Sequence, residues 1–82
     1  MRRGKYEIIS DILDNARNPK TKTSIVYGAN LSFEQAGKYL DMLIQNGLME
    51  KIAEKNTKYK TTEKGREFVQ DYNELENIVS EK

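Results

Sequence analysis

The 82-residue sequence has no cysteine, no histidine, no tryptophan and a single proline. Without cysteine there is neither a disulfide nor a thiol nucleophile. Without cysteine and histidine the common zinc ligand sets are missing, and no imidazole-dependent triad can be assembled. Glycine is sparse, and no glycine-rich phosphate loop appears among the five that are present. The carboxylates are scattered. These absences argue against an enzyme and imply no metal and no cofactor. No run approaches the roughly eighteen consecutive apolar residues of a membrane span, and no basic-then-apolar leader opens the chain. The expectation is a cytoplasmic protein with no membrane partner.

Hydrophobic residues make up 37% and charged residues 33%. That is polar for a lone globule, although not disordered. A chain of this length is one small domain that buries only about 60–65% of its unfolded surface, so pairing with a copy is an obvious route to stability. The formal net charge of +1 conceals a division along the chain. The first 64 residues carry twelve basic and eight acidic side chains, net +4, whereas the last eighteen carry two basic against five acidic, net −3. Such asymmetry points to a polyanion at one end and a different partner at the other.

Ile8, Ile9, Ile12, Leu13 and Ala16 form one helical stripe, starting near Gly4 or Lys5 and ending before Pro19. A short second helix fits Thr23 to Ala29, with Thr21 or Thr23 as its cap. The third is announced by a capping box: Ser32 followed three residues later by Gln35. Ala36, Leu40, Leu43 and Ile44 form its apolar stripe, and Gly47 ends it as a left-handed residue with Leu48 folding back. Only Asn30-Leu31 separates helices two and three, which makes them a helix-turn-helix. The period then changes. Leu48 to Ala53 and Lys58 to Thr62 read as two strands joined by Glu54 to Thr57, after which Thr62 caps a final helix beginning at Glu63. The fold class is therefore mainly α with a small β-hairpin: a winged helix-turn-helix of three helices and a two-stranded wing in residues 1–64, and a dimerisation helix in residues 65–82.

That layout has a specific physical use. A helix fits the major groove, where base edges are readable, and a hairpin can lie along the flanking phosphates. With the third-helix stripe turned inward, Glu34, Lys38, Asp41 and Gln45 face outward, flanked by Gln35, Tyr39 and Met42. Groove contacts come from the N-terminal part of such a helix, so Ser32, Gln35, Lys38 and Tyr39 are the candidates there. Gln35 is suited to adenine, and Lys38 to guanine or phosphate. A plain i,i+4 surface pair between Glu34 and Lys38 is the competing reading. The wing carries Lys51, Lys55, Lys58 and Lys60, with Asn56 and Thr57 near its tip, and at least two of these lysines are expected to meet phosphates. Lys58 and Lys60 share one face of a regular strand, with Tyr59 pointing inward. Lysines also guard exposed strand edges, and both roles are compatible. Arg3 and Lys5, beside Arg2 and Tyr6, suit an arm on DNA or simple solubilising charge. The final helix carries a seam of Phe68, Tyr72, Leu75 and Val79, with Ile78 beside it. Leu75, Ile78 and Val79 lie about 10–17 Å further along the axis than Phe68, past the edge of a small domain, so the same helix of a second copy is the natural partner; a helix folded back wholly onto its own domain is the competing reading.

The run Lys22-Thr23-Ser24-Ile25-Val26-Tyr27-Gly28-Ala29-Asn30-Leu31-Ser32 is followed by Tyr39-Leu40, Leu43 and Asn46-Gly47-Leu48, and later by Tyr59-Lys60-Thr61-Thr62-Glu63-Lys64-Gly65. Together these resemble small archaeal winged-helix chromatin proteins and transcriptional regulators that dimerise through a C-terminal antiparallel coiled coil. The resemblance spans about residues 5 to 80. It implies a nucleoid-associated homodimer that binds double-stranded DNA without catalysis, using the helix from Ser32 and the wing around Lys55 to Lys60. A low net charge favours regulation over DNA packaging. Winged helices that dock other proteins remain the alternative from another class.

Overall fold

The computed structural model describes residues 4–52 and 55–79. Four helices and one hairpin follow in the order α1 (Lys5–Asn15), α2 (Lys22–Ala29), α3 (Phe33–Gln45), β1 (Met49–Ile52), β2 (Lys58–Thr61) and α4 (Glu63–Val79). The architecture is the expected one, mainly helical with a two-stranded antiparallel wing.

Local chemistry sets the boundaries. Thr21 Oγ1 accepts from the Ser24 N–H and starts α2 one residue earlier than the spacing suggested. Asn30, at φ 58°, is left-handed and turns the chain from α2 into α3. At the end of α3 the Leu48 N–H donates to the Leu43 carbonyl and the Gly47 N–H to the Ile44 carbonyl, with Gly47 at φ 75°. Those two bonds are a Schellman cap, which directs the chain out of the helix and into β1. The Thr62 hydroxyl accepts from the Gly65 N–H and opens α4.

One apolar centre draws on nearly every element: Ile9, Ile12, Leu13 and Ala16 around α1, Ile25 and Ala29 of α2, Leu40 and Leu43 of α3, Met49 of β1 and Val69 of α4. Thr61 is buried among them and satisfied, its hydroxyl donating to the Leu13 carbonyl at 2.6 Å. Only the first half of α4 joins this centre. The molecule measures 48 × 27 × 19 Å, with a radius of gyration of 12.8 Å. A compact chain of this length would have about 12 Å. The excess reflects the distal turns of α4 standing clear of the body.

Candidate nucleic-acid interface

The leading end of α3 is held by the reciprocal bonds that Ser32 and Gln35 announce. The Gln35 N–H donates to Ser32 Oγ at 3.0 Å, and the Ser32 N–H donates to Gln35 Oε1 at 3.2 Å. Both side chains are exposed, and each oxygen accepts one of the two cap bonds. A glutamine pairs bidentately with adenine through its oxygen and its amino group together; the Gln35 oxygen already accepts the Ser32 N–H and keeps a second lone pair, and its amino group is unused by the cap. Lys38 lies 4.0 Å from Glu34, with side chains 79% and 83% exposed. A pair this open is weak, and the ammonium is available to another anion. Tyr39 is half-buried and packs against the core, which fixes its ring at the helix flank. Lys5, Lys38, Tyr39 and Met42 line one shallow depression. The structure thus gathers three of the expected residues, from α1 and α3, at a single place. Arg3 lies outside the described residues.

Strand register divides the wing into two faces. The pairs are Met49 with Thr61, Glu50 with Lys60, Lys51 with Tyr59 and Ile52 with Lys58. Met49 and Thr61 are buried, so their face, which also carries Lys51 and Tyr59, looks inward. Tyr59 points toward the core as expected. Lys58 and Lys60 share the opposite face, where Lys60 stands across from Glu50. Lys55 and Asn56 are exposed near the tip.

Two features of the wing escape the sequence reading. The Lys20 N–H donates to the Tyr59 carbonyl at 2.9 Å, and the Tyr59 N–H to the Lys20 carbonyl at 2.8 Å. This bridge moors β2 to the segment that leads into α2. On the other side, Lys51 and Tyr59 form a cleft with Asp41, Ile44 and Gln45. Lys51 is therefore the wing lysine beside α3, a placement that only the register reveals. Tyr27 and Phe33, 76% and 49% exposed on the helix-turn-helix, were likewise not singled out.

Along α4, Phe68, Tyr72, Leu75 and Val79 line an apolar groove of about 440 Å³ together with Tyr6, Asp71 and Glu76. The Tyr6 and Phe68 ring centres are 6.4 Å apart, and the Phe68 and Tyr72 rings stack in parallel at 6.5 Å. Tyr6 belongs to this groove rather than to an amino-terminal arm. Leu75, Ile78 and Val79 are 60%, 72% and 74% exposed. The Tyr72 hydroxyl, which donates to Glu76 Oε2 at 3.4 Å, is raised above its ordinary value of 10.0. Desolvation is the chief cause, with Glu76, Glu7 and Asp11 adding negative charge nearby. Among the described residues, no helix is long and apolar enough to cross a membrane.

A helix-turn-helix with a moored, lysine-bearing hairpin is the pattern of a known family, whose sequence profile matches residues 2–80 of this chain. The chain belongs to the winged helix-turn-helix family. A protein of Methanocaldococcus jannaschii, MJ0287, itself uncharacterized, is 35% identical over 82 residues, spanning 99% of this chain and 81% of its own. The winged helix is similar in structure to Sso10a-2, a DNA-binding protein of Sulfolobus solfataricus. The TM-score is 0.88 and the identity 34%, over 95% of this chain and 83% of that one. A possible HxlR-family transcriptional factor of Thermoplasma volcanium superposes with a TM-score of 0.74 at 26% identity, over 93% of this chain and 72% of that one.

Proposed function

We propose that this winged helix-turn-helix protein is a homodimeric double-stranded DNA-binding protein of the transcription-regulator type. It presents α3 to the major groove and its wing to the flanking backbone. The observation that carries the reading is the exposed face of α3 beside a wing that bears four lysines, with Lys51 turned toward α3, Lys58 and Lys60 on the opposite strand face and Lys55 exposed near the tip. The similarity to Sso10a-2, described as DNA-binding, supports it. Residues 1–64 act as the reading head, with Lys38 and Tyr39 at the base edges and Lys5, Lys55, Lys58 and Lys60 on phosphates. Ser32 and Gln35 act first as the cap that holds the leading end of α3 in shape, and the Gln35 amino group is left to donate to a base.

Residues 65–82 supply the pairing element. A second copy of the chain fits the groove along α4. The groove is apolar, Leu75 and Val79 continue it past the body, and an isolated helix end with this much exposed aliphatic surface calls for burial. Pairing through α4 would hold two reading heads at a fixed separation on one duplex. The reading involves no catalysis. A selection of bound duplexes from a random pool tests it. A regulator enriches one sequence and binds it at least ~10³-fold more tightly than random duplex. Equal affinity for all duplexes would mean packaging, and absence of any duplex binding would overturn the proposal.

A further inference from the structure

Lys22 opens α2, but its side chain leaves its own helix. The ammonium lies 3.2 Å, and Cε 3.9 Å, from the point where a β-carbon at Gly37 would stand. Gly37 sits in the middle of α3, where glycine is the poorest helix former after proline. It lies on the border between the buried row of Ala36, Leu40 and Leu43 and the exposed row of Glu34, Lys38, Asp41 and Gln45. The missing side chain is therefore a slot, and Lys22 fills it at the edge of the exposed face of α3.

Other lysines also rest against neighbouring elements, but they are used internally. Lys20 Nζ donates to the Asn15 carbonyl and Lys64 Nζ to the Asn46 carbonyl, each at 3.1 Å. Lys22 is half-buried, and among the described residues its ammonium has neither an ion pair nor a hydrogen-bond acceptor. A cation partly removed from water and held in place without an acceptor is arranged for an anion that arrives from outside. Glu34 and Asp41 lie on the adjoining exposed row and would repel a polyanion there, which makes a fixed positive charge at this edge more useful.

We infer that Lys22, seated in the Gly37 slot, is a phosphate-contacting residue that fixes the register of α3 on DNA. The inference rests on the DNA-binding reading. Phosphate is the target because the first helix of a helix-turn-helix crosses the backbone, and a lysine is a point charge on a flexible stem rather than a base-reading fork. The segment from Lys20 to Lys22 then has two ends in the interface. Its first residue is paired to the wing at Tyr59, and its last reaches α3.

The test measures affinity against salt concentration for the full chain and for Lys22→Gln and Gly37→Leu, on two duplexes of unrelated sequence. Each phosphate contact contributes about 0.9 to the slope of log affinity against log salt. Lys22→Gln should lower that slope by about 0.9 and weaken both duplexes alike. Gly37→Leu, which fills the slot and is a better helix former, should reproduce the loss while the melting temperature holds. Adding Lys22→Gln to it should cost nothing further. A Lys22→Gln slope equal to that of the parent chain would overturn the inference and leave the DNA-binding reading standing. A loss confined to one duplex would make Lys22 a base reader and refute the phosphate assignment. If the parent chain shows no salt-dependent binding, both readings fall together.

Discussion

Replacing Gly65 by alanine would add a methyl group where α4 leaves the wing, and the space is already taken. A β-carbon there would meet the Leu48 carbonyl oxygen closer than real contacts allow, with the Leu48 carbonyl carbon at 3.2 Å and Thr61 Cγ2 at 2.6 Å. Neither neighbour yields easily. The Leu48 carbonyl belongs to backbone and accepts the Thr62 N–H at 3.1 Å, while Thr61 is buried and tied to the Leu13 carbonyl at 2.6 Å. Overpacking typically costs about 1–3 kcal/mol, and a clash with backbone that cannot yield belongs in the upper part of that range, about 2–3 kcal/mol. Alanine recovers at most about 0.8–1.0 kcal/mol through its better helix propensity. The net loss is then about 1–2 kcal/mol, drawn from the modest stability of a small domain. At about 4–8 °C per kcal/mol for a domain of this size, Tm should fall by about 4–16 °C. Thermal unfolding followed by circular dichroism reads this directly, at one fixed concentration because dimerisation couples to stability. An unchanged or higher Tm would refute the close approach of α4 to Leu48, and with it the reason for a glycine in the first turn of a helix.

If two copies pair through α4 as proposed, changing Leu75 and Val79 together to glutamate should yield a monomer, because like charges would face each other in the groove; sedimentation at the mass of the parent chain would contradict that pairing. Replacing Lys58 and Lys60 by alanine should weaken binding to every duplex equally, and a loss restricted to one sequence would contradict their role on phosphates. Tyr72 should ionise above the ordinary tyrosine value of 10.0. Because its folded pKa is raised above 10.0, its contribution to stability is intact below that pH and is lost as pH climbs through the folded value. The difference in phenolate absorbance between the parent chain and Tyr72→Phe during an alkaline titration should therefore have its midpoint above pH 10.0, and a midpoint at or below that value would refute the assignment.

What could be read in advance was governed by short sequence separations. Ser32 with Gln35, Asn30 in the turn, Gly47 at the end of α3 and Thr62 before α4 each act within a few residues, where spacing alone dictates the hydrogen bonds. The seam of Phe68, Tyr72, Leu75 and Val79 was legible for the same reason, since helical period determines which residues share a face. The rest depended on how elements meet. The bond between Lys20 and Tyr59, the Tyr6 ring beside Phe68 and the Lys22 side chain over Gly37 all join distant positions, and no local pattern encodes them. Lys51 shows the point most sharply. It carries the same charge as Lys58 and Lys60, but the pairing of Lys51 with Tyr59 turns it toward α3 while the other two face away. Gln35 shows the opposite limit. Its cap was visible as a pattern and is formed, whereas a base contact by the same side chain depends on how α3 meets a duplex, which spacing does not encode.

The central claim is that the lysine-rich wing and α3 form a surface for duplex phosphate. The most direct test is the slope of log affinity against log salt for the unmodified chain on a random duplex. A phosphate-binding surface gives a straight line that falls by about 0.9 for each phosphate engaged, and hence a steep loss between about 50 and 200 mM salt. A flat line, or no binding even near 50 mM, would contradict it.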